Sequence, residues 1–356
     1  MADPDNNRYV RLPPTAVPVG DGRRRPVPDS LEQCRRPSLA ETAGSTVVDM
    51  ASTGLPISTI DRRTIGVVFV LLAAIGFGTI AIFGKLATEA GLNNPTLLTF
   101  RFVLATALLL GYLEYRGELG LPSGRQFGTM AGLGVAYAAL TAAFFWGLLY
   151  VPAGIATITL YTYPVYVFLI ATTLLDERLR PGKFVALVLA IAGVATIVGL
   201  DTTRVDPRGL VLVTVAAMAY AVYTTGSRVA VGDVGADRLA TAAIATTGIC
   251  FLAYGSVSRT LFVPETARQW AVIVGLAIVG TVVPILLFVN GLRFVEADRA
   301  SIVSTAEPVV TVVLGVVILG ERLSPGIVVG GTLVLVGIAL IQSDRRSGRP
   351  AAPSSE

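Results

Sequence analysis

Residues 175–182 read LDERLRPG, and residues 319–326 read LGERLSPG. The two stretches lie 144 residues apart, and each follows an apolar run that contains a proline at the same distance, Pro164 and Pro308. At this spacing residues 146–193 align with residues 290–337 without a gap. Self-similarity of this kind indicates that the chain contains two copies of one structural unit.

Apolar runs extend outward from both stretches, separated by short linkers that carry Gly, Pro or charged residues. Each run is close to the roughly 20 residues that an α-helix needs to cross a bilayer. The sequence therefore predicts an all-α polytopic membrane protein with ten transmembrane helices. We number them spans 1 to 10, centred within residues 64–86, 95–115, 127–149, 154–175, 181–200, 208–229, 237–257, 269–290, 297–319 and 324–342.

An odd number of spans in each copy fixes how the two copies are related. The second copy must enter the membrane from the opposite side, so residues 64–200 and 208–342 are predicted to form two inverted five-helix repeats. Inverted repeats have their substrate sites near the middle of the membrane, where the halves meet. One arrangement of the halves opens inward and its counterpart opens outward, which favours transport by alternating access.

The composition excludes most other classes of protein. With 53% hydrophobic residues, 15% charged residues and a mean hydropathy of +0.70, the chain is not a soluble domain. It has no histidine, and its two cysteines, Cys34 and Cys250, lie far apart. Zinc sites, His-dependent nucleophiles, haem ligation and a disulfide framework are therefore not expected. We predict no catalytic residue, no metal, no cofactor and no enzymatic activity.

The two ends of the chain are polar. Residues 1–63 hold 8 of the 20 prolines, and we predict that this segment and residues 343–356 are disordered cytoplasmic tails. With both termini inside, 21 basic residues fall in inner segments and six in outer ones, as the positive-inside rule requires. The net charge of +4 comes from tails and short loops, so no nucleic-acid partner is expected. The prediction is a multi-pass protein of the cell membrane.

Three short motifs strengthen this interpretation. They are Phe100-Arg101-Phe102 in span 2, Tyr163-Pro164 followed by Asp176-Glu177-Arg178-Leu179, and Glu307-Pro308 followed by Gly320-Glu321-Arg322-Leu323. In these motifs and in its doubled layout, the chain resembles the drug/metabolite transporter (DMT) superfamily, EamA-type family, over about residues 64–342. The resemblance implies a basket in which spans 1, 3, 4, 6, 8 and 9 surround a central path. It also implies export of small metabolites, which in this family are amino-acid-like, nucleobase-like or other small solutes.

Glu307 is the acidic residue near the centre of a predicted span. An ionised carboxylate there costs roughly 2.5 kcal/mol or more unless it is paired, hydrated or protonated, so it should face the bundle interior or a wet path. Ser304 and Thr311, at i−3 and i+4, share its helical face. Glu307 is a candidate for binding a substrate amine or for proton coupling. The alternative is a carboxylate that hydrogen-bonds neighbouring helices.

Tyr163 occupies the position of Glu307 in the first copy, and Thr159 shares its face. A phenol in one half and a carboxylate in the other would orient a substrate, although tyrosines also simply pack between helices. Pro164 and Pro308 each remove a backbone donor within a span and favour a kink or a local hinge. Their recurrence at the same place in both copies makes them candidates for gating, although membrane helices also tolerate proline without such a role.

Further residues match between the copies and are candidates for lining the path. Phe77 corresponds to Tyr220 in spans 1 and 6, and Trp146 corresponds to Asn290 in spans 3 and 8. Aromatic side chains there would enclose a flat or apolar solute, or would only pack between helices or at the membrane interface. Arg101 in span 2 either pairs with a substrate anion or has a structural role.

These patterns favour a secondary transporter over the alternatives, which are a channel-like protein or a non-transporting membrane scaffold. An intramembrane enzyme would need a nucleophile with its base, paired aspartates or a metal site, and the sequence offers none of these sets. The expected partners are a small-molecule solute, the lipid bilayer and protons. The spacing of small residues is compatible with a monomer or a homodimer.

Overall fold

A computed structural model describes residues 62–120, 124–174, 181–200 and 205–344. The predicted tails lie outside these residues except at their inner ends, and so do Asp176, Glu177 and Arg178. All regular secondary structure in the described ranges is helical. The predicted all-α polytopic fold is thus confirmed.

Each predicted span corresponds to one helix or to consecutive helical segments. The helices are α1 (Arg62–Gly78), α2 (Ile80–Glu89), α3 (Asn94–Tyr115), α4 (Gly124–Gly147), α5 (Ala153–Leu160), α6 (Tyr163–Leu174), α7 (Pro181–Leu200), α8 (Pro207–Val234), α9 (Ala236–Val257), α10 (Ala267–Ala277), α11 (Val283–Gly291), α12 (Ala297–Ser304), α13 (Ala306–Leu319) and α14 (Pro325–Asp344). A π-helical turn, Ile278–Val282, joins α10 to α11.

Most of these helices have the length and composition of membrane spans. In the described part of the chain, eight helical stretches are long and apolar enough to cross a bilayer. They correspond to spans 1 to 4 and 6 to 9. The remaining two, α7 and α14, have 20 residues each and pack against each other.

Glycines bring helices of the first half directly against helices of the second. Gly193 in α7 and Gly330 in α14 face each other so closely that a methyl group on either would collide with the carbonyl oxygen of the other. Gly66 in α1 and Gly291 in α11 also face each other, and a methyl group on either would lie 3.1–3.2 Å from the carbonyl oxygen of the other. Small residues allow such backbone contact, which drives helix association in a bilayer. The two halves are therefore interlocked.

Three spans are interrupted partway along their length. Span 1 breaks at Thr79 between α1 and α2, span 4 breaks at Tyr161 and Thr162, and span 9 breaks at Thr305. The breaks in spans 4 and 9 come two to three residues before Pro164 and Pro308. A proline has no backbone N–H and its ring clashes with the carbonyl one turn earlier, so the regular hydrogen-bond ladder cannot continue.

A threonine hydroxyl satisfies the backbone at each break. Thr79 Oγ1 donates to the Gly76 carbonyl at 2.6 Å, and Thr305 Oγ1 donates to the Ile302 carbonyl at 2.6 Å. Thr162 Oγ1 makes the corresponding bond, at 2.7 Å, to the carbonyl three residues earlier. Each of these carbonyls also accepts the backbone N–H of the same threonine, so the hydroxyl adds a second hydrogen bond at the turn. Irregular backbone inside a membrane bundle is tolerated where local hydrogen bonds of this kind satisfy it. The three breaks supply the backbone groups around which the site is built.

Candidate functional site

Glu307 lies at the second position of α13, directly after the break in span 9. Its Oε2 accepts a hydrogen bond from the Tyr161 hydroxyl at 2.8 Å, and the same hydroxyl lies 2.9 Å from the Ser304 carbonyl oxygen. Ser304 O is the carbonyl that Pro308, four residues later, leaves without its helical donor. Tyr161 is itself at the break in span 4 and is buried. One phenol thus joins the two proline-associated breaks.

Thr311, predicted to share the face of Glu307, joins this helix to span 1. Its fully buried Oγ1 donates to the Gly78 carbonyl at 2.9 Å and lies 3.2 Å from the Glu307 carbonyl. Gly78 directly precedes the break at Thr79, and a side chain at Gly78 would collide with Val310. Spans 1, 4 and 9 therefore meet at Glu307, each at its interruption.

Five tyrosines form a chain of ring contacts beside the carboxylate, and we call them the tyrosine cluster: Tyr137, Tyr161, Tyr163, Tyr220 and Tyr223. Ring centroids lie 6.0 Å apart for Tyr161 and Tyr163, and 4.4 Å apart for Tyr163 and Tyr220. Tyr220 stacks on Tyr223 at 6.4 Å, and Tyr223 lies 5.0 Å from Tyr137. Glu307 interacts electrostatically with Tyr137, Tyr161 and Tyr220. Spans 3, 4 and 6 thus present aromatic rings around one acid.

Several residues predicted from the sequence belong to this group. Tyr163 and Tyr220 are members of the tyrosine cluster, and Ser304 contributes its carbonyl while its hydroxyl bonds to Ala300 O at 2.9 Å. Thr159, one turn before Tyr163, is buried, and its Oγ1 has no hydrogen-bond partner in the described part of the chain. Pro164 and Pro308 directly follow Tyr163 and Glu307.

Other predicted residues make contacts elsewhere. Trp146 packs its ring edge against Tyr254 at 5.9 Å, and Asn290 Nδ2 donates to the Leu286 carbonyl of its own helix at 2.7 Å. Phe77 is partly buried next to Gly78, at the end of α1. For Trp146, Asn290 and Phe77, a role in lining the path stays a prediction.

Arg101 is buried in the packed core between spans 2, 3 and 8. Its guanidinium lies 4.7 Å from the centroid of the Phe102 ring and 5.4 Å from that of Phe145. Its Nε donates to Thr281 Oγ1 at 2.9 Å, and that hydroxyl donates to the Leu276 carbonyl at 2.8 Å in the π-helical turn. No carboxylate lies within salt-bridge distance of Arg101 among the residues described here. These contacts suit a structural cation, and pairing with a substrate anion stays a prediction.

The sequence interpretation missed Tyr137, Tyr161 and Tyr223. Two signals pointed to them: Tyr223 follows Tyr220 at i+3 on one helical face, and Tyr161 lies one turn before Pro164. Within the described ranges, no cluster of three His, Cys, Asp or Glu side chains could hold a metal ion. The arrangement offers one carboxylate, several phenols and aromatic faces, which can bind and orient a small polar molecule.

Comparison with known proteins gives a family match and relatives that are named as transporters. The chain matches the EamA-like transporter family twice, over residues 64–199 and over residues 207–343. The "Uncharacterized transporter YcbK" of Bacillus subtilis (strain 168) is 28% identical over 280 residues, which cover 75% of this chain and 89% of that protein. The "Threonine/homoserine exporter RhtA" of Escherichia coli (strain K12) is 28% identical over 249 residues, 65% of this chain and 76% of that one.

A solved structure titled "Crystal structure of protein" shares the fold. It aligns with a TM-score of 0.58 and 21% sequence identity, and the alignment covers 80% of this chain and 99% of the other.

Proposed function

The chain belongs to the EamA-like transporter family, and from this premise we propose that it is a secondary transporter that exports a small metabolite across the cell membrane. The observation that carries the proposal is the meeting of three interrupted spans at Glu307. Interrupted helices near the midplane are where secondary transporters bind their cargo. The two halves alternate access to this point.

The chemistry of the site favours a substrate that carries an amine. A carboxylate in a low-dielectric setting pairs with an ammonium group, and the faces of tyrosine rings attract the same cation. Tyr163 and Tyr220, whose rings lie 4.4 Å apart, would enclose the body of the molecule. One relative carries the name of a threonine/homoserine exporter, and both of those solutes are amino acids. We take an amino-acid-like solute as the leading class, ahead of nucleobase-like solutes.

Glu307 is also the proposed site of proton coupling. The carboxyl group can bind a proton or pair with an ammonium group, and each excludes the other. A proton that enters on one side would release the substrate on that side, so the proton gradient would drive export. The exchange depends on Glu307, whose carboxyl group hydrogen-bonds with Tyr161 of the tyrosine cluster.

The experiment that tests the function is an efflux screen. Purified protein is placed in proteoliposomes loaded with a mixed small-metabolite extract, and mass spectrometry follows which solutes leave. We expect selective loss of amine-bearing solutes with the wild-type protein. Glu307→Gln should strongly slow this efflux, whereas Glu265→Gln, at an exposed position outside the spans, should retain it. If folded wild-type protein releases no solute class selectively, the scaffold interpretation replaces the transporter.

A further inference from the structure

A second carboxylate, Glu321, joins the two halves at one end of the bundle. It lies in the turn between spans 9 and 10, directly after Gly320. Its Oε1 accepts a hydrogen bond from the backbone N–H of Ala153 at 2.6 Å, and its Oε2 accepts one from Gly154 at 3.3 Å. Ala153 and Gly154 are the first two residues of α5. An acid of the second half thus caps a helix of the first half.

The local sequence of α5 supplies no side chain that caps its N-terminus. The residue before the helix is Pro152, which provides no side-chain cap. Helix N-termini carry unpaired N–H groups and a partial positive charge, so an arriving carboxylate makes charge-assisted hydrogen bonds there. The glycine at position 315 also makes room for the Glu321 carboxylate, because a Cβ atom at Gly315 would lie 2.7 Å from Glu321 Oε2. The Glu321 backbone N–H donates to the Gly315 carbonyl at 3.0 Å, which holds the turn in place.

A lysine extends this junction to two more spans. Lys85, in the last turns of span 1, donates from Nζ to the Leu148 carbonyl at the end of span 3. It also interacts electrostatically with Glu321. Spans 1, 3, 4 and 9, four of the six that the family resemblance places around the path, are therefore held together at this end. We call it the Glu321 end.

The internal repeat aligns Glu321 with a second glutamate of the sequence. The shift of 144 residues places Glu177 opposite Glu321, and Ala297, the first residue of α12, opposite Ala153. Glu177 lies outside the described residues. The counterparts are not equal, because Asp298 stands where the first half has Gly154.

From these contacts we infer that Glu321 is a latch that closes the transport path at the Glu321 end while it caps α5 and lets that end open when it is released. The inference rests on the proposed alternating-access function, since the halves must part at this end for the path to open there. Glu321 does not touch the substrate in this scheme. It is a positioning residue that sets whether the Glu321 end is open.

The test is the accessibility of a reporter cysteine in the path. Cys34 and Cys250 are replaced by serine, and Thr159→Cys introduces a near-isosteric thiol at a buried position in α5, between Glu321 and Glu307. A membrane-impermeant maleimide is applied to vesicles of each orientation. We expect Glu321→Ala to label roughly tenfold faster from the Glu321 end, because two charge-assisted hydrogen bonds are lost, and to label more slowly from the other end.

Two further variants distinguish a specific effect of Glu321 from misfolding. Glu321→Gln keeps the volume and an acceptor oxygen, so it should show a smaller increase in the same direction, and Glu265→Gln should label like the parent. Unchanged labelling in folded Glu321→Gln and Glu321→Ala overturns the latch, and so does an equal increase from both ends, which would mean general loosening. Solute efflux is measured separately, on unlabelled vesicles of the same Glu321 variants that keep Thr159. Efflux without a labelling change refutes the latch alone, and a labelling change without any efflux refutes the proposed transport alone.

Discussion

Tyr161 has one hydroxyl proton and two acceptors, Glu307 Oε2 at 2.8 Å and the Ser304 carbonyl at 2.9 Å. If Glu307 is ionised, both acceptors compete for that proton. If Glu307 is protonated, the acid can donate to the phenol oxygen and the phenol can donate to Ser304, so all three groups are satisfied. The contact between spans 4 and 9 therefore changes its hydrogen bonding with the charge on Glu307.

Removing this hydroxyl should weaken the protein as well as its transport. Tyr161→Phe leaves the Glu307 carboxyl and the carbonyl of Ser304 without their partner, which costs about 1–3 kcal/mol of stability. The expected result is a lower melting temperature in detergent and a slower solute efflux. Tyr115→Phe, at a fully exposed position at the end of α3, is the matched control. Equal melting of Tyr161→Phe and wild type would show that the hydrogen bonds contribute nothing.

Arg101 provides a second test of a single residue. Its planar guanidinium contacts two rings and Thr281 together, and a lysine ammonium has no equivalent geometry. We expect Arg101→Lys to lower the melting temperature clearly, while Arg268→Lys at the surface leaves it unchanged. Normal melting combined with lost transport of an acidic or zwitterionic solute would instead assign Arg101 to anion binding.

Among the helices, the interruptions are the features that build the site. The break in span 9 exists because Pro308 lacks an N–H, and the freed Ser304 carbonyl is the group that Tyr161 contacts. Span 4 has the same relation between its break and Pro164. The kinks thus expose backbone acceptors at the point where a substrate would be held, and they give each span a place to bend.

Straightening span 9 should separate stability from activity. Pro308→Ala restores an N–H that can donate to the Ser304 carbonyl, so the helix becomes continuous and the melting temperature is maintained or raised. Transport should fall because the kink is lost and the Ser304 carbonyl then accepts the restored N–H instead of depending on Tyr161. Pro325→Ala is the control, since that proline occupies the first position of α14, where it interrupts nothing. Unchanged efflux in Pro308→Ala would contradict a gating role for the kink.

The close packing of α7 on α14 is tested by adding a side chain. Gly330→Leu forces atoms into the backbone of Gly193 and should destabilise the fold by at least about 1–3 kcal/mol. Gly132→Leu, at a position with no neighbouring atoms within 4 Å, should be tolerated. Thermal unfolding in detergent compares the two variants. Equal stability would mean that these two helices do not pack as described.

The sequence predicted the helices better than their contacts. Apolar runs of membrane-spanning length identified the spans, and the Glu-Arg-Leu repeat identified the duplication. Tyr161 was missed because hydropathy cannot tell which face of a membrane helix looks toward lipid, since lipid and protein interior are equally apolar. The break at Thr79 was missed because no proline or charge lies there, and the contact from Thr311 to Gly78 is tertiary. The π-helical turn at Ile278–Val282 ends two residues before Pro284, which has no N–H to donate to the Gly280 carbonyl, so this proline was a signal that the sequence analysis did not use.

The whole molecule consists of two similar halves with different residues at matching points. Tyr163 stands opposite Glu307, and Gly154 stands opposite Asp298. Under the proposed alternating-access function, equal halves would give equal inward-open and outward-open states, and these differences would bias the two states and orient the substrate. That proposal depends on Glu307 at the meeting point of spans 1, 4 and 9.

The most direct measurement is efflux of an amine-bearing solute from proteoliposomes with and without an imposed pH gradient, for wild type, Glu307→Gln and Glu265→Gln. The proposed exchange at Glu307 predicts that acidifying the outside accelerates efflux in wild type and in Glu265→Gln. Glu307→Gln should show no response to the gradient, even if slow downhill efflux remains. Gradient-driven efflux that persists in Glu307→Gln would contradict the proposal, because the proton would then move through another group.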